Sequence, residues 1–232
     1  MLRIIRYSSL ALLLLVAGIW AYAWVSRVPG ESVGEAFAGR LAAIFGAEMP
    51  TPAAGGVGGL VLPAGMALGG AFSLVNQAGQ PVTEGDYAGR WMLVYFGFTY
   101  CPDVCPTELG TMAAALDAMG PAGEAVTPVL ISIDPERDRP AQLADYVSRF
   151  HPRMQGLTGS TEQVADVARR YRVFFSRVQR PEAGEYTMDH SSFIYLVGPD
   201  GRVRTLFRPE TSPEAMAASI AAQLRSAAQS PS

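Results

Sequence analysis

From residue 91 onward the sequence alternates short, almost wholly apolar runs with stretches of helical periodicity, and that alternation limits the fold more than any other feature. Residues 91–98 (WMLVYFGF) and 128–133 (PVLISI) carry no charge and show no wet face. They read as strands buried on both sides, the kind found in sheets covered by helices. Between and after them, residues 107–119 place Leu109, Met112, Leu116 and Met119 on one helical face. A second helix is expected over 141–150, entered through Pro140, whose fixed φ suits a first turn. Residues 156–159 read as a short strand, followed by a helix over 162–171 capped by Ser160 or Thr161.

Hairpins flank this alternating block. Residues 72–75 and 80–83 enclose the turn Asn76-Gln77-Ala78-Gly79, and 173–178 and 186–188 enclose a polar turn at 181–184. Residues 192–197 and 203–207 enclose Gly198-Pro199-Asp200-Gly201, before a closing helix over 213–227. Together these predict an α/β domain over 67–232, a thioredoxin-like mixed sheet flanked by helices.

The N-terminal part reads differently. Residues 7–26 carry no charge and are long enough for a helix to cross the hydrocarbon core of a bilayer, with Trp20 and Trp24 as interfacial anchors. A cleaved signal peptide is the competing reading, because Ala21-Tyr22-Ala23 fits a small-x-small cleavage site. Arg3 and Arg6 before the segment favour a cytoplasmic N-terminus over residues 1–6 and export of the remainder. Residues 27–66 hold a short helical pattern at 33–45 and then a Pro- and Gly-rich run, and are expected to act as a flexible linker. A net charge of -3 with no Arg-rich run speaks against nucleic acid as a partner. The sequence has no lysine, which excludes Schiff-base and phosphate-loop lysine chemistry.

The chain's only two cysteines, Cys101 and Cys105, stand four apart directly after the first buried run. A disulfide between them would close almost no loop, so a purely structural staple gains little from it. A helix beginning near Pro102 and Asp103 brings both sulfurs to one face near its N-terminus, where backbone N–H groups and the helix dipole favour thiolate. Such a pair either exchanges electrons or holds a soft metal, the plainer alternative being two inert thiols. A metal site needs a third ligand, and the chain has two histidines. In a thioredoxin-like sheet His190, at the entrance to the strand over 192–197, passes beside the cysteine turn and is the candidate. His151 reads as an exposed loop histidine. A Cys2His set suits copper and also zinc, and spacing does not separate them.

Three segments carry a family likeness. Residues 96–107 (FGFTYCPDVCPT), 132–138 (SIDPERD), and Asp189-His190-Ser191 with Ile194-Tyr195-Leu196 and Pro199-Asp200-Gly201 resemble the Sco/SenC family over about residues 68–227. The resemblance implies a copper chaperone binding Cu(I) and Cu(II) through Cys101, Cys105 and His190. It further implies delivery to the binuclear copper centre of cytochrome c oxidase subunit II, with a copper donor and a thiol reductant as further partners. The expected setting is the bacterial inner membrane, with the main domain in the periplasm. Tyr100 departs from the histidine that many relatives carry there.

The alternative is a dedicated thiol-disulfide reductase in which Cys101 and Cys105 form a redox disulfide and keep the subunit's copper-site cysteines reduced. Against a general oxidoreductase stand the Cys-x3-Cys spacing and Asp189-His190-Ser191 where thioredoxins place a proline. A peroxiredoxin-like peroxidase lacks its threonine and arginine constellation. Asp134, Arg137 and Asp138 read as capping or ion-pair residues at a strand end, Asp103 as a turn residue, and the nine methionines as packing.

Overall fold

The computed structural model describes Gly18 and residues 59–62, 68–180 and 185–229. Apart from Gly18, the expected membrane segment lies outside these residues, as do the helical pattern at 33–45, most of the linker and the turn at 181–184. Among the described residues no helix is long and apolar enough to cross a membrane. The chain divides into Met1–Ala54 and Gly55–Ser232, and the description below concerns the second unit.

Among the described residues ten strands and four helices follow one another, from Ser73 onward in the order the alternation predicts. They are β1 (Leu60–Val61), β2 (Ser73–Asn76), β3 (Pro81–Thr83), β4 (Trp91–Gly97), α1 (Val104–Ala118), β5 (Val126–Ser132), α2 (Pro140–Ser148) and β6 (Gln155–Thr158). Then come α3 (Thr161–Arg170), β7 (Phe175–Arg180), β8 (Glu185–His190), β9 (Ile194–Val197), β10 (Val203–Phe207) and α4 (Pro213–Gln229). Eight strands make one mixed sheet in the order β1-β10-β9-β4-β5-β6-β2-β3, while β7 and β8 form a separate two-stranded hairpin.

The central strand β4 is buried at all seven positions, pairing parallel with β5 and antiparallel with β9. Its unbroken apolar run is the price of having both faces covered. Pro128 sits inside β5 opposite Leu93, yet β5 meets β6 only from Val129 onward. The missing proline N–H therefore costs no ladder bond to β6. On α1, Leu109, Met112 and Leu116 are fully buried, as the periodicity requires, and the helix packs against α4. Ser160 caps α3 through a reciprocal pair with Gln163. In the β2–β3 turn, Gly79 takes φ +77, and Asn76 Oδ1 accepts from the N–H groups of Ala78 and Gln80.

Two local readings shift. Helix α1 begins at Val104, between the start expected near Pro102 and Asp103 and the periodic stretch from 107, so Cys101 precedes it; Pro106 falls inside its first turn, where a missing N–H leaves no bond unmade. Leu60 and Val61, inside the segment read as linker, pair antiparallel with Leu206 and Thr205 and extend the sheet.

Candidate metal centre

The strand-to-helix connection after β4 sets the two sulfurs. Cys105 lies in the first turn of α1 and is fully buried, whereas Cys101, just before the helix, is partly exposed. Asp103 occupies the N-cap position but makes no side-chain cap bond. The Cys101 sulfur takes that part instead, accepting the Cys105 N–H at 3.4 Å. Sulfur thus stands where an N-cap oxygen normally satisfies an orphan N–H, in the field of the helix N-terminus.

His190 closes the group from the far side. It ends β8, paired with Phe175, and its Nε2 lies 3.6 Å from Cys105 Sγ. Its Nδ1 lies 3.1 Å from the Ser191 carbonyl oxygen. A carbonyl only accepts, so Nδ1 donates in that contact and Nε2 is the nitrogen that faces the sulfurs. The ring stands edge-on between Tyr95 and Phe98, at centroid distances of 5.9 and 6.0 Å. Tyr95 also points its hydroxyl at Cys105 Sγ, 3.9 Å away.

The two thiols are driven apart electrostatically. Cys101 is held well below the ordinary thiol range, first by the hydrogen bond from the Cys105 thiol, with smaller help from His190 and the N–H groups of Asp103 and Cys105. Cys105 is pushed far up, first by donating to Cys101 and then by burial. The hydrogen bond and the burial thus bias the pair toward a thiolate at the partly exposed Cys101 and a thiol at the buried Cys105.

The cysteine loop is anchored from beneath by Asp138. Its carboxylate accepts from Thr99 N at 3.0 Å, Thr99 Oγ1 at 2.6 Å and Ser132 Oγ at 2.6 Å, and the residue is fully buried. Asp134 pairs with Arg137 at 2.5 Å, the ion-pair role expected for these residues. Asp103 accepts the Thr107 hydroxyl at 3.0 Å on its carbonyl, a local turn contact. The expectation for His151 fails: it is buried at 7% exposure, with Nδ1 accepting from Arg153 N at 3.1 Å and Nε2 3.7 Å from Asp117. The His151-Pro152-Arg153 turn folds the ring back against the end of α1, a tertiary contact that local sequence does not announce.

Tyr95, Gly97 and Phe98 were not singled out from sequence. The period of two along β4 places Tyr95 and Gly97 on one side, while Phe96 meets Tyr171 and Tyr195. That alternation was the available signal for Tyr95 and Gly97; Phe98 lies beyond the strand and its contact with His190 has none.

Among the described residues no group of three His, Cys, Asp or Glu stands as a ready metal cage. Cys101, Cys105 and His190 are instead joined by hydrogen bonds. The donor chemistry nevertheless fits a soft cation. Two ligands at sulfur and nitrogen bond lengths of about 2.3 and 2.0 Å span roughly 3.5–3.7 Å at trigonal or tetrahedral angles. The Cys105–His190 separation of 3.6 Å matches that span.

Fold and site together define a thioredoxin-like protein with a dithiol–imidazole centre. The chain belongs to the SCO1/SenC family, whose description matches residues 62–225. It is 46% identical over 160 residues to the mitochondrial protein SCO1 homolog of Homo sapiens, covering 68% of this chain and 53% of that one. The chain thus spans about half the length of this curated relative. Its structure is similar to that of Arabidopsis thaliana ScoI with copper bound, with TM-score 0.66, 40% identity, and coverage of 69% of this chain and 99% of that one. It is also similar to BsSco, a member of the Sco family of cytochrome c oxidase assembly proteins in which a disulfide switch was identified. There the TM-score is 0.57 and the identity 26%, covering 74% of this chain and 99% of that one.

Proposed function

We propose that the chain is a membrane-tethered copper chaperone that carries copper on Cys101, Cys105 and His190 and delivers it to the binuclear copper centre of cytochrome c oxidase subunit II. The observation that carries this reading is the meeting of two sulfurs and an imidazole nitrogen at one point, with Cys105 Sγ 3.6 Å from His190 Nε2. Membership of a family of copper-binding proteins in cytochrome c oxidase assembly supports it. Two thiolates select Cu(I), and the imidazole extends the grip to Cu(II).

Copper is cargo here, and the chain's residues divide the handling of it. The half-exposed Cys101 thiolate is the first contact for an incoming ion. Cys105 gives up its thiol proton to solvent only when a cation arrives to compensate the buried charge. On His190 the Nδ1–H is committed to the Ser191 carbonyl, so Nε2 is the nitrogen offered to the ion. Oxidation of the thiolate–thiol pair to a disulfide sends two electrons to an oxidant, releases the Cys105 proton and removes both sulfur ligands. Loading therefore requires a thiol reductant as well as a copper donor. The apolar segment at 7–26 would hold the domain on the periplasmic side of the bacterial inner membrane, beside its target.

The reductase reading also has an observation behind it. An accessible, acidified thiol followed by a buried partner is the arrangement of a dithiol that exchanges disulfides. Copper stoichiometry and absorption spectroscopy on the reduced full-length chain, beside Cys101→Ser, separate the two. A single bound copper with a thiolate-to-Cu(II) charge-transfer band, lost in the variant, supports the chaperone. No copper binding, with ready exchange onto an oxidised subunit II copper-site peptide, supports the reductase.

A further inference from the structure

The hairpin that carries His190 shares no backbone ladder with the main sheet. Its last residue nonetheless reaches a cysteine fixed between β4 and α1. Beside the packing of His190 itself, a set of contacts between hairpin and body converges on Arg137, in the loop after β5. The Arg137 guanidinium lies 3.7 Å from the ring centroid of Tyr186, on β8, and 4.6 Å from that of Tyr100, the neighbour of Cys101. Its Nη1 donates to the Tyr186 carbonyl at 3.0 Å, and its Nε pairs with Asp134 at 2.5 Å. The Tyr186 hydroxyl donates to the same Asp134 carboxylate at 2.8 Å. Arg177, on β7, stacks 4.0 Å from the Tyr186 ring and pairs with Glu136 at 2.5 Å.

We propose that Arg137 is a positioning residue: it clamps the hairpin bearing His190 to the loop bearing Cys101, and so decides whether the imidazole completes the copper site. The inference rests on the copper-carrying reading above. It follows from where the guanidinium touches. One contact lies one residue from a candidate ligand, another lies four residues before a second one on the same strand, and the ion pair reaches back to the end of β5.

Shape, more than charge, makes the clamp. The positive charge is balanced by Asp134, whose side chain is 1% exposed. Nη2 is buried with no hydrogen-bond partner, so ring contact holds that end of the fork. A planar guanidinium stacks between aromatic faces while aiming separate N–H groups at a carbonyl and a carboxylate. Lysine keeps the charge and loses that geometry.

The test uses the full-length chain and its Arg137→Gln and Arg137→Lys variants, first without metal. Amide hydrogen exchange over residues 185–190 is expected to quicken about tenfold in both variants, with β4 and β5 unchanged. Copper titration follows. Cu(I) affinity should stay within about threefold of the parent, while Cu(II) affinity falls about tenfold and imidazole nitrogen hyperfine coupling is lost. Parent-like exchange in the hairpin overturns the proposal. So does restoration of the Cu(II) spectrum by lysine, or equal loss of both oxidation states. If the parent binds no copper, the copper reading falls by itself, while hairpin exchange still decides whether Arg137 is the clamp.

Discussion

Gly97 and Cys105 touch so closely that no side chain fits between them. A Cβ built on Gly97 would stand 3.0 Å from the Cys105 sulfur and 2.8 Å from Tyr95 Cε1. The bare backbone at this point lets α1 bring its buried thiol onto β4. Gly97→Ala is expected to destabilise the fold by about 1–3 kcal/mol, the usual cost of overpacking a core. It should also weaken copper binding by displacing Sγ. Denaturant unfolding beside a Cu(I) titration checks both, and a stable variant with unaltered copper affinity would contradict the contact.

Removing the imidazole separates the two oxidation states. His190→Ala should keep Cu(I) on two thiolates with reduced affinity and lose most Cu(II) binding, since the nitrogen donor is what suits the oxidised ion. Competition titrations with Cu(I) and Cu(II) chelators measure the split. Parental Cu(II) affinity in this variant would remove His190 from the site.

The asymmetry of the thiols predicts selective alkylation. In the reduced, metal-free chain, iodoacetamide should modify Cys101 well below the ordinary thiol pKa and leave the buried Cys105 untouched until the fold opens. Mass spectrometry of the products across a pH series reads this directly. Equal labelling of the two positions in the folded protein would show that the loop does not discriminate between them.

Two buried carboxyls shape the acid side of the stability curve. Burial lifts Asp138 above its ordinary value of 3.8, against the pull of Ser132 and Thr99, and lifts Glu108 above 4.5. An acid whose folded pKa is raised contributes its full stability below the unfolded value and loses it as pH rises through the folded one. These two groups therefore make the metal-free chain less stable as pH climbs out of the acid range. Glu108→Gln should flatten that fall, measured as urea midpoints from below the ordinary carboxylate range upward to neutral pH. An unchanged slope would acquit Glu108.

Anchoring of the cysteine loop gives a further test. Asp138→Asn replaces a carboxylate that receives three donors with an amide offering one oxygen. A loss of about 1–3 kcal/mol is expected from the unpaired buried groups. Copper affinity should fall with it, because Thr99 stands two residues before Cys101. Parental unfolding midpoints would show that Ser132 and Thr99 find other partners.

Much of this was readable in the chain. The apolar runs of β4 and β5, the spaced leucines and methionines of α1, and the Ser160 cap each announce themselves in a pattern of a few neighbouring residues, so local sequence carries them. The cysteine pair was legible because two sulfurs four residues apart, directly after a buried strand, have few uses. What escaped detection was long-range. Tyr186 and Arg137 are 49 residues apart, and only the hairpin's return across the sheet brings them together. Leu60 and Val61 form a strand only because β10 offers an edge. His151 is buried by a turn whose residues look like any surface loop.

That burial has a practical consequence. The chain contains two histidines, and one of them is enclosed against Asp117 and Arg153 at the far end of α1 from the sulfurs. Desolvation and the nearby Arg153 hold His151 below the usual imidazole pKa. An imidazole NMR spectrum of this protein therefore holds its own internal standard: one signal tied to the scaffold, and one that answers to whatever the thiols are holding.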